Sequence, residues 1–104
     1  MPRQKSPVQE VARFRLLQGA GKAAFLAAAR ATAAPLRRQP GFLRRTLVRN
    51  EDGIWTDQID WADRPSADRA TAAMMGEPAF QPFMALIDME SLTMDHPALL
   101  WQMD

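Results

Sequence analysis

Apolar and polar positions alternate along Val8 to Leu17, with Val8, Ala12, Phe14 and Leu16 on one side and Gln9, Val11, Arg13 and Arg15 on the other. A period of two belongs to a strand with one buried face, so this run predicts a first strand. Gln18-Gly19-Ala20-Gly21 interrupts it, and the period then changes. Phe25, Ala28, Ala29, Thr32 and Leu36 recur at helical spacing inside an alanine-rich run from Lys22 to Gln39, which predicts a helix able to lie close to a sheet. Pro40-Gly41 ends it, because proline cannot extend a helix and glycine accepts the turn beyond it. Phe42 to Arg49 and Ile54 to Ala62 alternate again, and the Asn50-Glu51-Asp52-Gly53 segment between them has the composition of a hairpin turn.

The second half repeats the order. Arg64 to Gly76 is helical in pattern, with Pro65 suited to a first turn, Asp63 or Ser66 available as cap, and Ala67, Ala70 and Met74 on one face. Gly76 to Pro82 predicts a turn followed by a brief helical piece at the end of the sheet. Asp88 to His96 alternates, with Leu92 and Met94 inside a polar frame, and predicts a fourth strand. The tail from Pro97 to Asp104 carries Leu99, Leu100 and Trp101, too apolar to be left in water. Two strand–helix–strand halves joined by a hairpin, with right-handed crossovers, give an α+β, ferredoxin-like βαββαβ fold: a four-stranded antiparallel sheet with helices on one face. The other face stays open. It is expected to carry residues such as Arg13, Thr46 and Trp55 together with aliphatics, an oily flank that a second copy of the chain would cover.

With 104 residues and 11.7 kDa, one domain over residues 7–104 is expected, preceded by a flexible N-terminus over 1–6. Hydrophobic residues make up 47% of the chain, rich for one small core and in keeping with surface buried in a homodimer. Thirteen Lys and Arg against twelve Asp and Glu leave a net charge of +1, which argues against nucleic acid as a partner. The absence of cysteine removes thiolate chemistry, and with one histidine no protein-held metal site is expected. No apolar run is long enough to cross a bilayer, and a cytoplasmic location is expected.

Gly19-Ala20-Gly21-Lys22 invites a nucleotide reading, which fails in detail. Leu16 stands where a phosphate loop needs its first glycine, and Ala23 where it needs a hydroxyl.

Pro40-Gly41-Phe42, Leu47, the run Asp52-Gly53-Ile54-Trp55-Thr56-Asp57, and Trp61 followed by a helix start over Asp63 to Ala70 resemble the antibiotic biosynthesis monooxygenase-like family, from about Val8 onward. The resemblance implies a dimeric α/β barrel: a homodimer whose two sheets close together, with a ligand cavity between sheet and helices in each subunit. It also implies diverse function, from cofactor-free oxidation of polycyclic phenols to haem breakdown and quinol oxidation. Haem-degrading members use an asparagine on the first strand and a tryptophan and histidine on or near the second helix. Here the sole asparagine is Asn50, in the hairpin turn, and no Trp or His lies between Ala62 and Asp95. Phenol-oxidising members lean partly on tyrosine, which this chain lacks.

Oxidation without a cofactor needs a substrate that can itself pass an electron to oxygen, hence a base, a cation and aromatic walls in a dry site. His96 is the candidate base, with Asp57 to orient it or to act as base itself. Arg13 and Arg45 are candidate cations, and Trp55 and Trp61 candidate substrate-binding walls. Each has a plainer role available. His96 sits beside Pro97 at a strand end, where a surface or interface histidine is ordinary. Trp55 and Trp61 share a face with Asp57 and Ile59 and serve equally as packing. Arg44, Arg45 and Arg49 suit an edge strand facing water. Asp57 and Asp60 point to opposite sides and form no carboxylate pair. The function expected is a cofactor-independent monooxygenase acting on a small aromatic or stabilised-carbanion substrate. The alternative is a non-enzymatic dimer that binds a small apolar ligand.

Overall fold

The computed structural model describes residues 6–104, so the flexible N-terminus expected over 1–6 falls, Ser6 apart, outside the described residues. The elements run β1 (Val8–Leu16), α1 (Lys22–Ala31), α2 (Ala33–Arg37), β2 (Phe42–Arg49), β3 (Trp55–Trp61), α3 (Arg64–Met75), α4 (Phe80–Ala85) and β4 (Ile87–Asp95). The strands form one four-stranded sheet in the order β2-β3-β1-β4, with every pair antiparallel. This is the ferredoxin-like arrangement expected from the alternation of periods.

The single helix predicted over Lys22 to Gln39 is two. Pro35 lacks the N–H that would donate to Ala31, and its ring crowds that carbonyl, so a continuous helix is interrupted one turn earlier. The break falls at Thr32, which is fully buried; its hydroxyl donates to the Ala29 carbonyl at 2.6 Å. Asp63 caps α3, its carboxylate accepting from the Ser66 amide at 2.8 Å. Gly41 enters β2 at φ +87, and the first turn of α3 lies against it so closely that a side chain there would meet Ser66. The β2–β3 turn closes through Asn50 N–H to the Ile54 carbonyl at 2.8 Å, with Gly53 at φ +87 and the Asp52 carboxylate accepting from Ile54 N–H at 3.1 Å.

Pairing fixes which side chains share a face. Val8, Glu10, Ala12 and Phe14 lie opposite Trp61, Ile59, Asp57 and Trp55, and this row faces the helices. The core there is in two parts. Val8, Leu36, Ile59, Trp61, Ala67, Ala70 and Met74 gather under α2 and α3. Ala12, Phe14, Phe25, Ala29, Trp55, Phe83 and Ile87 gather under α1 and α4.

The opposite face corrects the expectation of an oily flank. Trp55 belongs to the helix side, where it is buried edge-on against Phe25. The uncovered side presents Gln9, Val11, Arg13, Arg44, Thr46, Val48, Thr56, Gln58, Asp60, Thr93 and Asp95, a largely polar row, because alternation sends the aromatic residues inward. The tail begins as expected, tied to β1 by Leu99 N–H to the Pro7 carbonyl at 3.0 Å and by the Val8–Ala98 bridge. Beyond that it is open: Leu100, Trp101 and Met103 are 90%, 76% and 76% exposed.

Candidate functional site

The buried residues of the two core clusters stay separate, with the partly buried Phe80 packed against both. Between them lies a cavity of about 280 Å³, near the lower end of the roughly 300–1,000 Å³ usual for ligand pockets. Its floor is the helix-facing row of β1 and β3: Glu10, Ala12, Phe14, Asp57, Ile59 and Trp61. Met74 and Met75 of α3 and Phe80, Phe83 and Met84 of α4 form the roof, and Leu92 and Met94 of β4 close a side. Ala12 and Ala70 keep the space open, since larger side chains at either position would join the clusters. Methionine and aromatic walls suit a flat apolar guest, being polarisable and adaptable in shape.

Three polar groups of the sheet define the chemistry. Arg45 and Asp57 form a bidentate pair, Nε to Oδ1 at 2.9 Å and Nη2 to Oδ2 at 2.8 Å, while Arg45 Nη1 donates to the Thr32 hydroxyl at 2.7 Å. The two side chains are only 13% and 9% exposed, and the guanidinium also lies 5.2 Å from the centre of the Phe83 ring. Such a pair is fixed in geometry and nearly neutral as a unit. Both Asp57 oxygens accept from one guanidinium, so Asp57 is badly placed to receive a substrate proton.

The third group is Glu10, which is absent from the candidates drawn from sequence. Its Oε1 accepts from the Trp61 indole N–H at 3.2 Å, and Glu10, half-buried, is among the residues that line the cavity. Burial pushes its pKa above the ordinary 4.5; the Trp61 hydrogen bond opposes that, Asp57 adds to it, Arg45 opposes it, and Asp68 adds to it. The signal for it lies in the alternation: position 10 shares the side of Val8, Ala12 and Phe14, so an acid stands in an apolar row.

The remaining candidates are not brought together. Trp61 and Asp57 reach the cavity, and Arg45 reaches it through Asp57. Arg45 therefore points inward, contrary to the expectation of a water-facing edge charge. Trp55 lies in the Phe25 cluster outside the lining, under the Arg49 guanidinium at 5.6 Å. His96 lies beside Val11, Arg13, Asp95 and Pro97 in an open surface hollow, apart from the cavity. Arg13 pairs loosely with Asp95 at 3.7 Å on the uncovered face. Among the described residues, no three His, Cys, Asp or Glu side chains gather as a metal-binding group, and no helix is long and apolar enough to cross a membrane.

No family model and no curated protein matches the sequence. Solved structures do. SnoaB, a cofactor-independent oxygenase from Streptomyces nogalater, is 29% identical, with 95% of this chain and 96% of that one covered at a TM-score of 0.69. A candidate antibiotic biosynthesis monooxygenase from Bordetella bronchiseptica is 19% identical over 93% of this chain and 100% of its own, at a TM-score of 0.77. Another, from Nitrosomonas europaea, is 14% identical over 97% of each chain, at 0.75. The last two are alike in fold alone. Further solved neighbours described as candidate antibiotic biosynthesis monooxygenases, from Chloroflexus aurantiacus and Caulobacter crescentus, share the same fold with this chain.

Proposed function

We propose that the chain is a cofactor-independent monooxygenase acting on a small, uncharged aromatic substrate that forms a stabilised carbanion, and that it works as a homodimer. One observation carries the reading: an apolar cavity between the two halves of the core whose lining includes a desolvated carboxyl group, while Arg45, the cation bonded into its floor, is tied to Asp57. The likeness to an oxygenase that works without a cofactor supports it.

The reaction asks little of the protein beyond holding and drying the substrate. A methylene flanked by rings and a carbonyl loses a proton. The carbanion passes one electron to oxygen, the radical and superoxide combine as a peroxide anion, and a proton converts it to the hydroperoxide. Loss of water leaves a ketone, so that CH2 and O2 become C=O and H2O with no outside reductant. Trp61, with Phe80 and Phe83, walls the ring system; the Arg45–Asp57 pair fixes the floor; Trp55 supports Phe83 through Phe25. His96 and Arg13 belong to the face that the second subunit would cover.

Oxygen uptake with a panel of anthrones and quinols tests this. Consumption of one O2 per substrate is expected, and Trp61→Phe, which removes the indole N–H, should reduce the rate at least about tenfold. If no substrate is turned over and native mass spectrometry of fresh protein shows an unmodified apolar ligand, the chain is a binding protein and the oxygenase reading fails.

A further inference from the structure

We propose that Glu10 is the general base of this cavity, taking the acidic proton of an uncharged carbon acid or phenol that lies against Trp61. The inference rests on the oxygenase reading for its substrate class and adds the group that does the proton chemistry.

The geometry leaves little choice. Of the cavity's lining residues only Glu10 and Asp57 carry ionisable side chains, and both Asp57 oxygens are held by Arg45. His96 opens onto a different hollow. Glu10 has one oxygen anchored by the Trp61 indole, which fixes the carboxylate against the ring that would stack on the substrate. A carboxylate so placed meets the proton in a constant orientation.

The environment strengthens it as a base. Asp57 and Trp61 of β3, Arg45 of β2 and Asp68 of α3 act on Glu10, while Gln81 of α4 and Met94 of β4 line the same cavity without charge. Desolvation outweighs the indole hydrogen bond, so the acid holds its proton more tightly than a solvated glutamate. The lining residues include no lysine or arginine, and the nearby guanidinium is committed. Substrates carrying a carboxylate or phosphate are therefore disfavoured, and neutral ones favoured.

In the step itself a substrate C–H or O–H bond breaks, its electron pair stays on the ring system, and the proton forms an O–H bond on Glu10. Glu10 returns that proton to the peroxide anion, giving the hydroperoxide, then takes the remaining C–H proton as the O–O bond breaks and passes it to the departing hydroxide, which leaves as water. The carboxylate is regenerated and no proton is consumed overall.

Deuterium exchange separates this from the oxygenase reading, because it needs no oxygen. Under anaerobic conditions in deuterated buffer, incorporation at the methylene of anthrone, and of 2-tetralone as a smaller carbon acid, is followed by proton NMR. Wild-type protein is expected to accelerate exchange, with a rate that rises with pH through one ionisation above the ordinary carboxylate range. Glu10→Gln, close in shape and still able to accept from Trp61, should lose about 100-fold or more of the acceleration, together with that pH limb, while quenching of tryptophan fluorescence shows anthrone still bound. Glu10→Asp, charged but withdrawn from the indole, should fall between. Exchange by Glu10→Gln at the wild-type rate overturns the assignment, and so does a wild type that accelerates neither compound, whether or not it consumes oxygen. Exchange lost with Glu10 in a protein that never consumes oxygen supports the base and sinks the oxygenase.

Discussion

At the level of single residues, the Arg45–Asp57 pair shows how a buried charge is kept and how much stability hangs on its partner. Each side chain is at least 87% hidden, and Arg45 is bonded at every nitrogen. Replacing Arg45 by Met leaves the Asp57 carboxylate buried with no counter-charge, a loss expected to reach about 3–5 kcal/mol in urea unfolding. Arg45→Met combined with Asp57→Leu should recover most of it, since removing both charges also removes the cost of burying them. A double variant no more stable than Arg45→Met would show that the pair is not the source of the loss. Glu10 is the opposite case. Its raised pKa means that its contribution to folding is present at low pH, where the carboxyl is protonated, and is lost as pH rises through the raised value. Asp57 and Trp61 are legible from alternation alone. The ion pair is not, although the hairpin sets Arg49 opposite Trp55 and so Arg45 diagonal to Asp57, two residues from its partner Leu47. A row of arginines on an edge strand looks like solvent-facing charge until the register says which one turns inward.

Among the elements, position and type accord with the periods, and the departures have local causes. The Thr32 break traces to Pro35, a residue whose missing N–H is visible in the sequence but lies inside an otherwise convincing helical pattern. The shift in pairing between Arg13 and Arg15 against β4 has no such mark; there the Arg15 amide turns to the Ser91 hydroxyl at 2.8 Å instead of a strand carbonyl. The shape of the cavity is beyond the reach of sequence for a related reason. It depends on two clusters staying apart, which is set by where α3 and α4 land, not by any one strand. Gly41 bears on the placement of α3, whose first turn packs against it. Both Gly41 and Gly53 sit at φ +87, so alanine at either carries a backbone penalty of about 1–2 kcal/mol. At Gly53 the nearest group is the flexible Arg15 guanidinium at 3.3 Å, whereas at Gly41 the new methyl would strike Ser66 in the capped turn of α3. Gly41→Ala should therefore be the more damaging by at least about 1 kcal/mol in chemical denaturation, and equal losses would mean that α3 can move away freely.

For the whole molecule, the helix-free side of the sheet decides how two copies would meet. That side is polar, so a dimer formed there is held by specific contacts more than by apolar area. Asp60 sits on this side: it is 5% exposed, its Oδ1 accepts no hydrogen bond among the described residues, and its Oδ2 lies 3.6 Å from an Arg44 that is itself 62% exposed. A buried carboxylate oxygen without a donor is costly, and that cost is carried within the single chain. The apolar share comes from elsewhere. Leu100, Trp101 and Met103 are exposed on a tail tied down at Leu99, and a second copy that covered them would supply apolar area. Two terms of different kind should then hold the dimer, one sensitive to salt and one not. Sedimentation at micromolar concentration is expected to give about twice the chain mass of 11.7 kDa. Ending the chain after Leu99 should weaken association at least about tenfold and leave a remainder that dissociates further as salt is raised, because only the polar face is left. A full-length chain that sediments as a monomer removes the dimer. A shortened chain that associates as tightly as the intact one removes the tail from it, and would place the whole of the binding on the polar face of the sheet.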